Sequence, residues 1–229
     1  MSENEFQKLL TRLDIQFKDI KLLQQAFHHR SYLNEISLNL ESNERLEFLG
    51  DSILSFVISG YLYKSRKQDA EGELTNLRAY IVKTKSLAEA SKQLELGNYL
   101  RLSKGEESSG GRENPQLLAN TFEALLGAIF LDQGLPAVEK VIDKQLLNLF
   151  APELKSGPPK DAKSLLQEIV QEKLKRSPHY KILETKGPDH AKKFLVAVYL
   201  KSKEYGRGEG GSKQVAEEQA ASAALKKLV

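Results

Sequence analysis

The stretch NERLEFLGDSILSFVISGYLY, residues 43–63, decides the fold of the larger part of this chain. Leu46, Leu49, Ile53, Leu54, Phe56, Val57 and Ile58 are too dense for strand-like alternation, and they predict a helix apolar nearly all round. Such a helix is expected in a core. Yet Glu47 and Asp51 stand four residues apart, on one face, and Ser55 continues that face. A carboxylate in apolar surroundings is costly to keep ionised unless something pairs with it.

A second segment, QLLANTFEALLGAIFLD at 116–132, repeats the arrangement. Asn120 and Glu123 are three apart on one face, Gly127 extends it without bulk, and Leu117, Leu118, Phe122, Leu125, Leu126, Ile129, Phe130 and Leu131 surround them. Helices are also expected over 72–94 and 138–150, with a polar glycine-rich loop at 103–114, so residues 1–150 read as an all-α domain. APELKSGPPK, 151–160, with two adjacent prolines and a glycine, reads as a linker.

Beyond it the pattern changes. Leu165, Leu166, Ile169, Val170 and Leu174 form a helical stripe within 161–176. Residues 179–185 can form a strand, Phe194, Val196, Val198 and Leu200 alternate as a half-buried strand does, and 204–207 suggest a short third one. A glycine-rich turn at 206–211 then leads into an alanine-rich helix. Residues 161–229 are thus expected to form a small α-β-β-β-α (α+β) domain.

Composition narrows the functional classes. With no cysteine among 229 residues, disulfides and thiolate chemistry are excluded, in agreement with a reducing cytoplasm. The polar, acidic start MSENEFQKLL is unlike a signal peptide, and the apolar segments are too interrupted to span a membrane. The net charge of +3 conceals an uneven distribution: residues 160–229 carry 15 Lys/Arg against 9 Asp/Glu, whereas residues 1–159 carry 19 against 22. A basic tail domain on a mildly acidic body suggests a nucleic-acid partner. His28, His29, His179 and His190 have no zinc-binding spacing, there is no G-x-S-x-G elbow, and no phosphate-binding loop supports a nucleotide cofactor. Glu47, Asp51, Asn120 and Glu123 supply hard oxygen donors suited to Mg²⁺ or Mn²⁺. The competing explanation is a helical adaptor whose acids pair with Arg45, Arg78 or other bases. It differs in one testable way, because a metal site requires the carboxylates to converge on a small volume.

NERLEFLGDS at 43–52 resembles the defining motif of bacterial ribonuclease III. HRSYLNE at 29–35, EGELTNLRAYIV at 71–82 and LLANTFEALLGAIFLD at 117–132 follow the same pattern, and the C-terminal segment resembles the double-stranded-RNA-binding domain of that family. The resemblance covers nearly the whole chain. It implies a homodimeric, Mg²⁺-dependent endonuclease of double-stranded RNA that leaves 5′-phosphate and 3′-hydroxyl ends and acts in rRNA and mRNA processing. It implies Asp51 and Glu123 as catalytic residues, Glu47, Asp51, Asn120 and Glu123 as the metal set, and Glu44 and Glu71 at the dimer and cleavage cleft. For RNA binding it points to Ser164, Gln167 and Glu168 on the first helix of the small domain, His190 in a loop, and Gly211, Ser212, Lys213 and Gln214 at the start of the last helix. A helix N-terminus after glycines suits a phosphate, and Lys213 adds charge. A-form RNA is read through its shape, 2′-hydroxyls and phosphates, so three such contact regions are expected. Two positions depart from the family: Asn120, where Asp is usual, and Gln214, usually basic. Asn keeps an oxygen but removes a charge. The alternative is therefore a catalytically impaired protein that binds duplex RNA.

Overall fold

The computed structural model describes residues 3–36, 40–159, 161–188 and 192–228. The chain divides into two compact units, residues 1–158 and 159–229.

In the first unit the described helices are α1 (Glu3–Leu13), α2 (Ile20–Ala26), α3 (Arg30–Leu33), α4 (Glu44–Ser65), α5 (Glu71–Val82), α6 (Thr84–Gln93), α7 (Lys104–Ser108), α8 (Pro115–Gln133), α9 (Leu135–Ile142) and α10 (Ala151–Ser156). Helix α8 is the axis of the unit. Asn114 caps it, accepting from the backbone N–H of Gln116 at 2.8 Å, and Pro115 opens it where a missing N–H costs nothing. Gly134, at φ +80°, ends it. Phe122, Leu125, Leu126 and Ile129 of α8 are fully buried, with Leu54, Ile58, Leu77 and Ile81 in the same core. Each such side chain removed from water contributes about 1.5–3 kcal/mol.

Several expectations change. The single helix over 72–94 is two, because Lys83 is extended (φ −65°, ψ 152°) and breaks it. The loop at 103–114 contains α7, capped by Ser103, whose side chain accepts from Glu106 N–H. Residues 151–156 of the expected linker are helical instead. Pro152 lies in the first turn, where proline is tolerated, and Leu154 is buried. Arg66 donates to the carbonyls of Leu154 (2.9 Å) and Lys155 (2.7 Å), satisfying the end of α10. Nor is α4 core on all sides. Leu46, Ile53, Leu54, Val57, Ile58 and Leu62 are buried, but Phe48, Phe56 and Tyr63 are 78%, 65% and 77% exposed.

The second unit consists of α11 (Ala162–Leu174), an antiparallel sheet ordered β1 (His179–Lys186), β2 (Lys193–Leu200), β3 (Lys203–Gly210), and α12 (Lys213–Leu228). Its core joins Leu166 and Val170 of α11, Val196, Val198 and Leu200 of β2, and Ala216, Ala220, Ala221 and Ala224 of α12. Leu165, expected in the helical stripe, is 37% exposed. The third strand is longer than expected and contains most of the segment read as a turn. Gly206, Gly208 and Gly210 occupy alternate positions facing α12. A Cβ on Gly206 or Gly208 would overlap the carbonyl oxygen of Ala220 or Ala216, respectively. These glycines allow a helix backbone to lie directly on the strand.

Candidate active site and nucleic-acid interface

The acids lie where α4 crosses α8. Gly50 is buried there against the backbone of Glu123 and Gly127, and Gly127 against the backbone of Leu46. Side chains on either residue would hold the helices apart. With glycine at both, Glu47 and Asp51, which flank Gly50 on α4, come beside Glu123, one turn before Gly127 on α8.

Glu123 is half-buried, and burial, followed by the charges of Asp51 and Glu47, pushes its carboxyl up to about 8. Burial is also the main cause raising Glu47, with Glu44 and Asp51 adding repulsion, while a hydrogen bond from Asn120 pulls it back. Asp51 is exposed. No Lys or Arg forms an ion pair with Glu47, Asp51 or Glu123 among the described residues. The bases named as competitors are engaged elsewhere. Arg45 pairs with Glu41 at 3.7 Å, and Arg78 donates to Ser59 Oγ at 3.0 Å.

The four side chains therefore share one electrostatic environment, and their donors, all oxygen, fit a hard divalent cation. Their approach is incomplete: among the described residues no three of His, Asp and Glu are spaced to hold one ion.

Glu44 is exposed, pairs with Arg30 at 3.6 Å and accepts from Ser42 Oγ at 3.0 Å, yet its charge still reaches Glu47. Glu71 begins α5, exposed, accepting from Thr75 Oγ1 at 2.9 Å, and it is not among the charges acting on Glu47 or Glu123. Gln116 and Thr84 were missed by sequence reasoning. Gln116 Nε2 donates to Asn120 Oδ1 at 2.7 Å, and Thr84 Oγ1 donates to Gln116 Oε1 at 3.5 Å. The four-residue spacing from Gln116 to Asn120 was a usable signal; nothing local pointed to Thr84.

In the second unit Ser164, Gln167, Gln214 and Val215 line a groove of about 670 Å³ between the first turns of α11 and α12. Asp161 and Glu218 line it as well. Asp161 caps α11, accepting from Ser164 N–H at 2.9 Å, and Glu218 accepts from Ala162 N–H at 2.5 Å. Glu168, Gly211, Ser212 and Lys213 are exposed nearby in sequence. His190 lies outside the described residues.

An all-helical unit with an acidic helix crossing is thus followed by an α-β-β-β-α unit with a polar groove between its helix N-termini. Residues 19–149 match the family described as Ribonuclease-III-like, and residues 162–228 match the Double-stranded RNA binding motif. The chain belongs to the ribonuclease III family, whose members are divalent-metal-dependent endoribonucleases of double-stranded RNA. It is 44% identical over 227 residues to Ribonuclease 3 of Pelotomaculum thermopropionicum, covering 99% of this chain and 94% of that protein. It is 46% identical over 217 residues to Ribonuclease 3 of Caldanaerobacter subterraneus, covering 95% of each. A solved nuclease domain of ribonuclease III from Campylobacter jejuni, flexible in a region involved in dimer formation, is 38% identical with a TM-score of 0.60. That likeness covers 64% of this chain and 99% of the solved one. Nothing in these comparisons supports the reading of an impaired enzyme.

Proposed function

We propose that this endoribonuclease works with Mg²⁺, for which Mn²⁺ can substitute, held by Glu47, Asp51, Asn120 and Glu123. The observation that supports this most is Glu123, a half-buried carboxyl raised to about 8 by desolvation and by two neighbouring acids, with no basic partner among the described residues. A divalent cation bound there supplies charge that acidifies water and stabilises the phosphodiester in displacement. Glu123 must give up its proton to hold that charge, and Asp51, exposed beside it, is open to the scissile phosphate. Water adds at phosphorus, the bond to the 3′ oxygen breaks, and the products carry 5′-phosphate and 3′-hydroxyl ends.

The same proposal assigns catalysis to residues 1–150 and duplex binding to residues 161–229, joined through 157–160 after α10. Ser164, Gln167 and Glu168 on α11, together with Gly211, Ser212, Lys213 and Gln214 leading into α12, are assigned to RNA. Lys213 and the open N–H groups of α12 suit phosphates. We assign a homodimer on two grounds: the exposed Phe48, Phe56 and Tyr63 on α4, and the dimer-forming region of the Campylobacter jejuni domain. Glu44 and Glu71 then belong to the cleft between protomers. The RNA substrates are assigned to rRNA and mRNA processing.

The test incubates duplex RNA with the full chain across Mg²⁺ and Mn²⁺ concentrations, alongside Asp51→Ala and Glu123→Ala. Both variants are expected to bind the duplex as the parent does and to lose cleavage by about 10³-fold or more, as expected when a group acting in the transition state is removed. Normal cutting by both would overturn the site assignment.

A further inference from the structure

The groove of the second unit takes its RNA-assigned side chains from two helices, Ser164 and Gln167 from α11 and Gln214 from α12. For one duplex to meet both, the first turn of α11 must keep its place beside α12. Burial does little to hold that turn. Leu166 is the first fully buried side chain of α11; before it Ala162 is small and half-buried, and Ser164 and Leu165 are exposed. A helix start is secured when its free N–H groups find acceptors. Here α12 supplies them. Glu218 accepts from Ala162 N–H at 2.5 Å and from Lys163 N–H at 3.4 Å. Its neighbour Glu217 pairs with Lys163 Nζ at 2.6 Å, and the same ammonium lies 5.0 Å from the centre of the Tyr180 ring of β1. Asp161 takes the next N–H, that of Ser164, at 2.9 Å. Three successive N–H groups of α11 thus end on carboxylates, and two of them are held from the other helix.

We propose that Glu218 is a positioning residue for duplex RNA: from α12 it holds the first turn of α11, and so fixes Ser164 and Gln167 relative to Lys213 at the start of α12. This rests on reading those three residues as RNA contacts. The two helix starts then do different work. At α12, Ser212 Oγ accepts from Val215 N–H at 3.3 Å, and Lys213 brings a positive charge. At α11 carboxylates already occupy the N–H groups, so that helix contributes through the uncharged Ser164 and Gln167. Releasing the first turn of α11 costs affinity, because binding must then order it again. It removes no cation from the RNA face, so the salt dependence of binding does not fall with it.

The test measures duplex RNA binding by the full chain, in chelator so that nothing is cut, over a series of salt concentrations. The parent is compared with Glu218→Ala, Glu218→Gln, Gln167→Ala and Lys213→Ala, and hydrogen exchange is followed over α11 and β2. Gln removes the same charge as Ala but keeps an oxygen that can accept one of the two N–H groups. Glu218→Ala is expected to bind about ten-fold more weakly than the parent, the scale of a charge-assisted hydrogen bond, and Glu218→Gln only about two-fold. Both should show the same salt slope, whereas Lys213→Ala should lower the slope by about one. In Glu218→Ala the first turn of α11 should exchange faster while β2 stays as protected as in the parent. Parent-like affinity in Glu218→Ala, lost affinity with the first turn still protected, or lost protection in β2 would each overturn the positioning role and leave the RNA face standing. Parent-like binding by both Gln167→Ala and Lys213→Ala would overturn the reading of the RNA face itself, and the role of Glu218 with it.

Discussion

Gly50 of α4 and Gly127 of α8 face each other at the helix crossing that brings the acids together. A Cβ added at Gly50 would stand 3.1 Å from the backbone nitrogen of Gly127 and would overlap the carbonyl oxygen of Glu123. The obstacle is helix backbone, which cannot rotate aside as a side-chain tip can. The close approach that buries α8 is thus also what sets Glu47 and Asp51 beside Glu123.

Gly50→Ala is therefore expected to force the helices apart. Its cost is about 3 kcal/mol or more, at the upper end of overpacking. Thermal unfolding followed by circular dichroism measures the loss. Cleavage should fall even at temperatures where the variant stays folded, because the acids move with the helices. Unchanged stability would show that the crossing tolerates a methyl group.

Glu123 makes metal-free stability depend on pH. Its folded-state pKa, about 8, lies above its ordinary value of 4.5, so between those values the folded chain binds more protons than the unfolded chain. Stability then falls as pH rises through that window. Glu123→Gln should flatten the slope between pH 5 and 8 and make the metal-free protein the more stable one at pH 8. Urea denaturation in chelator at several pH values measures both. In the parent, divalent ions should reverse the trend at high pH, since they favour the ionised carboxyl.

Phe56, 65% exposed on α4, is expected to be covered in the homodimer. Phe56→Glu would bring a charge into that contact, at a cost of several kcal/mol per buried ion. Light scattering should show the protomer mass for the variant and twice that mass for the parent. A dimer undisturbed by the substitution would move the interface away from this face.

Gly208 of β3 lies under α12, where a Cβ would overlap the carbonyl oxygen of Ala216. Gly208→Val should unfold the second unit, at a cost of about 3 kcal/mol or more from overpacking. Duplex binding in a filter assay should drop sharply, while the helical signal of the first unit persists. Parent-like binding would contradict the packing of α12 on β3.

Much of this architecture was legible from local pattern, because the periods of helices and strands are local properties. Residues 43–63 and 116–132 announced α4 and α8, and the alternation from Phe194 to Leu200 announced β2. The pairing of Glu47 with Asp51, and of Asn120 with Glu123, followed from helical spacing alone. Periodicity does not say what covers a face, however. Phe56 reads as a core residue in sequence and stands exposed in the fold, as Phe48 and Tyr63 do. Gly206, Gly208 and Gly210 carry no side-chain pattern, so they read as a turn until α12 supplies the reason for a strand without side chains. Gly157, Pro158 and Pro159 suggested a linker over 151–160, yet buried Leu154 and the guanidinium of Arg66 hold α10 as a helix.

By itself the sequence determined the two-unit order, the helical and mixed character of each unit, and the acids on two helices with an amide among them. Only the tertiary structure decided that Gly50 and Gly127 let those helices touch, that Arg45 and Arg78 are engaged elsewhere, and that Thr84 meets Gln116 beside Asn120. The physical reason is distance along the chain. Glu47 and Glu123 acquire their shared electrostatics, and Thr84 its bond to Gln116, only after folding brings remote segments within a few ångströms, where charge and hydrogen bonding act.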